Sequence, residues 1–245
     1  MSVRITLATA ARVLTQLRAD RRTVGLLLVV PTVLMILLRY VFDASPAVFD
    51  RIGLPLLGIF PFTTMFLVTS VAMLRERTSG TLERLLTTPM AKLDLLLGYG
   101  IAFAVATLAQ VAVAGAVAFG WLGLDAPGGA LAVLLMAVAD ALLGMALGLL
   151  VSAFAATEFQ AVQFLPAAIL PQLLLCGLLT PRDRMLSALN WASDVLPLSY
   201  AVDGLSRLSN AGGLSGRVAV DLAVVLGCTV VALGLAAATL RRRTA

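Results

Sequence analysis

The chain has no histidine, a single lysine and two cysteines among its 245 residues. Without histidine, imidazole general bases, Ser–His–Asp triads and histidine metal ligands are all excluded. Cys176 and Cys228 fall in apolar stretches with no Cys/His cluster nearby. Neither a disulfide framework nor a zinc site is expected, and both read as buried, unpaired thiols. Charged residues are also scarce, at 13% against 60% hydrophobic. That balance cannot be wrapped around one soluble core without leaving a large apolar surface, so the chain needs lipid as its solvent.

What is present is a series of long apolar runs, each near the roughly 20 residues that a helix needs to cross about 30 Å of hydrocarbon. Six segments qualify as spans: about 24–42, 55–74, 95–120, 130–154, 161–179 and 218–240. The first is expected to stay as an anchor, because its apolar run is long and no small-residue cleavage site follows it.

The net charge of +5 comes from 17 Arg and Lys92 set against 13 acidic residues. These basic residues flank the apolar segments as topology determinants do, and they do not gather with aromatics on one face, so no nucleic-acid partner is expected. The amino-terminal region, the 75–94 loop and the carboxyl tail hold twelve of them, and the opposite loops hold five: Arg51, Arg182, Arg184, Arg207 and Arg217. The positive-inside rule therefore predicts a multi-pass protein of the cytoplasmic (inner) membrane with both termini cytoplasmic. Arg39, near the outer end of the first span, can snorkel outward. Residues 2–20 place Val3, Leu7, Ala10, Leu14 and Leu17 on one stripe, which predicts a helix lying on the inner leaflet.

The loop 75–94 reads RERTSGTLERLLTTPMAKLD. Ser79 and Gly80 predict a helix start, Glu83 suits the first turn of a helix dipole, and Pro89 ends the element. Leu82, Leu85 and Leu86 share one face of this two-turn helix. A helix so short is marginal in water, which implies that its apolar face docks on something.

Glu76, Gly80, Thr81, Leu82, Glu83, Leu85, Leu86 and Pro89 resemble the cytoplasmic-loop motif of the permeases of ATP-binding-cassette (ABC) exporters of the second type, which include daunorubicin-type drug exporters and polysaccharide exporters. Pro197, Tyr200 and Arg207, in LPLSYAVDGLSRL, resemble that family's segment before its final helix. The resemblance covers nearly the whole of residues 1–245. It implies a single all-α integral membrane domain with six transmembrane helices, an interfacial helix, a short coupling helix and a re-entrant outer helix pair. It also implies that the coupling helix seats in a separate nucleotide-binding ATPase subunit, that two permeases pair with two such subunits, and that ATP and Mg are bound there. No cofactor is expected in this chain, because a phosphate-cradling loop needs glycines followed by Lys and Ser or Thr, and Lys92 stands among Met90, Ala91 and Leu93.

Residues 180–217 are too charged to span and too apolar to be a free loop. Two short helices at the outer surface are expected there, one before Pro197 and one after it. Trp191 and Tyr200 suit interface anchors as well as they suit that family segment. Asp203 and Arg207, four apart, are expected to pair on the surface.

Asp140 is the acidic residue nearest the centre of a predicted span, and it shares a helix face with Gly144, Gly148 and Ser152. Small residues at that spacing let helices approach closely, so Asp140 is expected to face protein or a cavity. It is either a contact for cationic cargo or an interhelical hydrogen-bonding group. Pro166 and Pro171 free backbone carbonyls and permit a kink in the fifth span.

The function expected is an efflux permease that is not itself an enzyme. Low aromatic content, 6%, leans the cargo toward drugs, lipids or other amphipathic molecules over polysaccharide. An ion-driven secondary transporter would need more intramembrane ionisable sites and an internal repeat. A lipid head-group transferase would need aspartates beyond Asp203 to hold its metal.

Overall fold

The computed structural model describes residues 2–80, 92–210 and 215–239. Among them every regular element is helical. In chain order these are α1 (Val3–Ala19), α2 (Arg21–Val41), α3 (Pro46–Thr78), α4 (Lys92–Gly120) and α5 (Ala130–Val151). There follow α6 (Glu158–Phe164), a π-turn (Leu165–Ile169), α7 (Leu170–Leu175), a 3₁₀ turn (Arg182–Arg184), α8 (Ser187–Val195), α9 (Pro197–Asn210) and α10 (Gly216–Thr239). Five of them, α2, α3, α4, α5 and α10, are long and apolar enough to cross a membrane.

The expected fifth span, 161–179, does not form a continuous α-helix. Its backbone runs α6, π-turn, α7, because Pro166 and Pro171 each lack the N–H of an i to i−4 bond and their rings push the preceding carbonyls aside. α3 departs from expectation in the other direction. Pro46 sits in its first turn, where a missing N–H costs nothing, and the helix runs 33 residues, about 50 Å, past Arg75 and Arg77.

α3 and α5 lie against each other at the centre. A Cβ on Gly144 would stand 2.2 Å from the Phe62 carbonyl oxygen, and one on Gly148 would stand 2.2 Å from Thr69 Oγ1 and 2.4 Å from the Phe66 carbonyl oxygen. Only glycine permits this approach. Thr69 completes the seam, its hydroxyl 2.7 Å from its own Met65 carbonyl and 3.1 Å from the Met145 carbonyl across the interface. Phe62, Phe66, Met65 and Leu143 are fully buried around it.

α1 packs on the start of α4 with a face that overlaps the expected stripe at Ala10, Leu14 and Leu17 and leaves its Val3 and Leu7 pointing outward. Thr6, Thr9, Ala10 and Val13 are buried, whereas Val3 and Leu7 are 76% and 54% exposed. The reason is a notch at Gly98, where a Cβ would lie 2.6 Å from Thr9 Cβ and 3.0 Å from the Thr6 carbonyl oxygen. Small threonines fit such a notch, and their hydroxyls are satisfied by the Ser2 and Ile5 carbonyls one turn back. Asp94 of α4 accepts from the Ser2 N–H at 3.1 Å, placing a carboxylate at the positive end of α1.

If the α3–α5 seam depends on glycine, Gly144→Ala forces the helices apart and costs about 1–3 kcal/mol of stability. Gly227→Ala, at a position with open space around it, is expected to change little. Thermal unfolding of the two purified variants distinguishes these outcomes, and equal melting temperatures would remove the seam from its central role.

Candidate functional site

The last two turns of α3 carry the first group of expected residues. Glu76 pairs with Arg12 of α1 at 3.6 Å, and Arg12 also donates to the Tyr99 hydroxyl of α4 at 2.8 Å, with its guanidinium 5.8 Å from the Tyr99 ring centroid. Glu76 Oε2 is buried with no hydrogen-bond partner. Arg75 makes a bidentate pair with Glu158, the first residue of α6, at 2.8 and 3.1 Å. Planar guanidinium and carboxylate match in that arrangement. Arg77 donates to the Ser152 carbonyl at 2.8 Å, covering the negative end of α5.

Ser79 and Gly80 end α3, and the helix expected to start from them lies outside the described residues. The Ser79 N–H bonds back to the Arg75 carbonyl, and Gly80 takes φ +71°, a left-handed value open to glycine. Thr81, Leu82, Glu83, Leu85, Leu86 and Pro89 lie outside the described residues.

Where α1 turns into α2, Asp20 caps α2. Its carboxylate accepts from the Thr23 N–H at 3.1 Å and from the Thr23 hydroxyl at 2.7 Å. Those hydrogen bonds hold the Asp20 carboxyl below the usual carboxylate range.

In the interior, Asp140 is fully buried on α5, facing Gly58 of α3 and Leu205 of α9. Neither carboxylate oxygen has a hydrogen-bond partner. It faces protein, on the same helix as the Gly144 and Gly148 contacts.

The remaining residues sit at the end of the bundle opposite α1. Pro197 opens α9 after the extended Leu196. Tyr200 donates to the Asp194 carbonyl at 2.8 Å and lies beside Arg182, which pairs with both Asp194 and Asp203. Arg207 pairs with Asp221 of α10 at 3.3 Å, so the expected Asp203–Arg207 pair is replaced by two pairs between elements. α10, packed against α9, offers Arg207 a partner, and the 3₁₀ turn before α8 offers one to Asp203. Arg39 pairs with Asp43 and lies over the Phe49 ring.

The sequence pattern of the family described as ABC-2 type transporter matches residues 5–208. The chain belongs to the ABC-2 type transporter family. It is similar to the Probable multidrug ABC transporter permease YbhS of Escherichia coli (strain K12), 28% identical over 178 residues that make up 72% of this chain and 47% of that protein. It is also similar to ABC transporter G family member 20 of Dictyostelium discoideum, 26% identical over 154 residues, 63% of this chain and 21% of that one. The chain thus spans about half, or less, of the length of these relatives.

The ABC-2 match runs from α1 through most of α9 and so takes in the Arg12–Glu76–Tyr99 joint and Asp140. Sequence reading missed Arg12, Tyr99 and Glu158 as partners of α3. Arg12 lay off the expected stripe, and Glu158 was the acidic residue of a turn with no basic one, which is a weak signal that could have directed attention to Arg75.

Because Glu158 is held low by Arg75, its stabilising contribution is present above the ordinary Glu pKa of about 4.3 and is lost as pH falls through the depressed folded value. Both side chains are about half exposed, which limits the pair to less than about 1 kcal/mol. A double-mutant cycle of Arg75→Ala and Glu158→Ala by thermal unfolding is expected to show that coupling at pH 7 and a progressive weakening as pH falls below the ordinary Glu value; coupling that does not weaken on acidification would contradict the ion pair.

Proposed function

We propose that this ABC-2 chain is the transmembrane permease subunit of an ABC exporter, forming the substrate pathway and coupled to ATP hydrolysis in a separate nucleotide-binding subunit. The observation that carries the reading is α3. It is a 33-residue helix whose end, held by Arg12, Glu158 and Ser152, leads directly into the segment carrying the Gly80, Thr81, Leu82 and Glu83 motif. A push on that segment would reach α1, α5 and α6 through these contacts. ATP and Mg belong to the partner, and a second permease copy completes the assembly. The name of the Escherichia coli relative, a probable multidrug permease, supports drug-like or other amphipathic cargo.

The six-crossing arrangement follows if the expected segment 161–179, which runs through α6, the π-turn and α7, makes the fifth crossing. The end carrying α1 is then cytoplasmic and the α8–α9 end is outside. α9 supports a re-entrant reading, since Leu198 shares a buried cluster with Phe62 and Leu143 while Leu208 accepts from the Gly128 N–H at 2.9 Å near the helix ends. Asp140, Gly144 and Gly148 serve helix packing in this state.

Two measurements test the reading. With Cys176 and Cys228 replaced, a single Asn210→Cys is expected to react with impermeant thiol reagent from outside only; labelling from the cytoplasm alone would invert the topology. Changing Leu85 and Leu86 to Asp buries unpaired charge in the partner contact, at a cost of several kcal/mol. The variant is expected to insert normally while losing its co-purifying ATPase and ATP-dependent export. Full partner retention and unchanged export would remove the coupling assignment.

A further inference from the structure

A cavity of about 510 Å³ opens between α1, the α1–α2 corner, the end of α3, α4 and α6. Its size falls in the range of sites for single small molecules, roughly 300–1,000 Å³. Its polarity is graded along the bundle axis. Asp20, Arg75 and Glu76 line one end, whereas Leu67, Val68 and Phe103 line the other. Leu67 lies eight residues before Arg75, about 12 Å deeper along α3. Leu26 and Val162, also in the lining, are 59% and 43% exposed, so the mouth is apolar and opens sideways, where hydrocarbon lies in a membrane.

The charges at the polar end are unequally occupied. Arg75 is taken up by its bidentate pair with Glu158, and Arg12, behind Glu76, is taken up by Glu76 and Tyr99. Asp20 accepts from Thr23 and from the Arg22 backbone and also feels the charge of Arg75, and Glu76 Oε2 is buried with no hydrogen-bond partner. Arg18, Arg21 and Arg22 are exposed and are not part of the lining, so they face water and headgroups. Among the described residues, Asp20 and Glu76 therefore leave the cavity's polar end open to a further cation on an apolar body.

We infer that this cavity is a lateral binding site for an amphipathic cation drawn from the adjoining leaflet, its ammonium group beside Asp20 and Glu76 and its apolar body against Leu67, Val71 and Phe103. The site lies within one protomer and involves neither ATP nor Asp140. It goes beyond the proposed coupling, which enters only in naming the leaflet as the inner one.

The test uses the full chain reconstituted in phosphatidylcholine vesicles with a hexadecyl-dimethylammonium spin label, whose motionally restricted fraction reports bound probe by electron paramagnetic resonance. A restricted fraction is expected that hexadecyltrimethylammonium displaces and palmitate does not. Asp20→Asn keeps a good helix cap while removing the charge, and is expected to weaken probe binding about tenfold. Val71→Trp, which fills the cavity, is expected to abolish it. The inference is overturned if both variants bind as the parent does, if palmitate competes equally, or if Val71→Trp changes the permease's oligomeric state, which would make the cavity a seat for a second copy. Co-purification of the ATPase with Asp20→Asn is expected to be unchanged, so failure here leaves the coupling reading standing, and failure of coupling leaves this one.

Discussion

The close approach of α3 and α5 is the constraint on which the other contacts rest. With lipid on both sides of the comparison there is little hydrophobic gain in bringing two apolar helices together, so association depends on dispersion contacts and interhelical hydrogen bonds at short range. Gly144 and Gly148 supply the short range, and Thr69 supplies a hydroxyl that reaches the Met145 carbonyl. Once these helices are fixed, Gly58 of α3 lies over Asp140, and Leu205 of α9 closes the same space. A carboxyl in the middle of an apolar bundle must face protein or a cavity and not lipid, and here protein surrounds it.

The same seam fixes the position of the far turns of α3. Three consecutive charged positions there reach three different elements: Arg75 to α6, Glu76 to α1 and Arg77 to the end of α5. On a helix, neighbouring residues point about 100° apart, so one turn can hold partners on several sides. The exposed Arg75 pair adds little stability. Its effect is geometric, since α3 cannot shift without carrying these neighbours or breaking the contacts.

At the opposite end the charges also join elements. Arg182 links the turn before α8 to Asp194 and to Asp203 of α9, and Arg207 links α9 to α10 through Asp221. The 180–217 segment is too polar to be held by lipid; the Arg182 pairs and the Tyr200 hydrogen bond hold it together, and the Arg207–Asp221 pair ties it to α10. The two ends thus follow one rule: charged residues excluded from hydrocarbon collect at the helix ends, where they can pair across elements.

The sequence by itself determined the properties that depend on composition and local spacing. Apolar runs long enough to cross a bilayer fixed an all-helical membrane protein. The four-residue spacing of Asp140, Gly144 and Gly148 marked a close-packed face, and Pro166 and Pro171 marked the break that became a π-turn. The residues around Gly80 pointed to the ABC-2 family, which the match over residues 5–208 bears out. Only the tertiary structure decided which groups meet across elements. Asp203 and Arg207 are four apart and suit one another on an isolated helix, yet each has a partner on another element. The α1 stripe was likewise legible from spacing, but that Thr6 and Thr9 fit the notch at Gly98, more than eighty residues away, was not. Helical periodicity is a property of one segment, whereas burial and ion pairing depend on the shape and charge of the neighbour, which no single segment encodes.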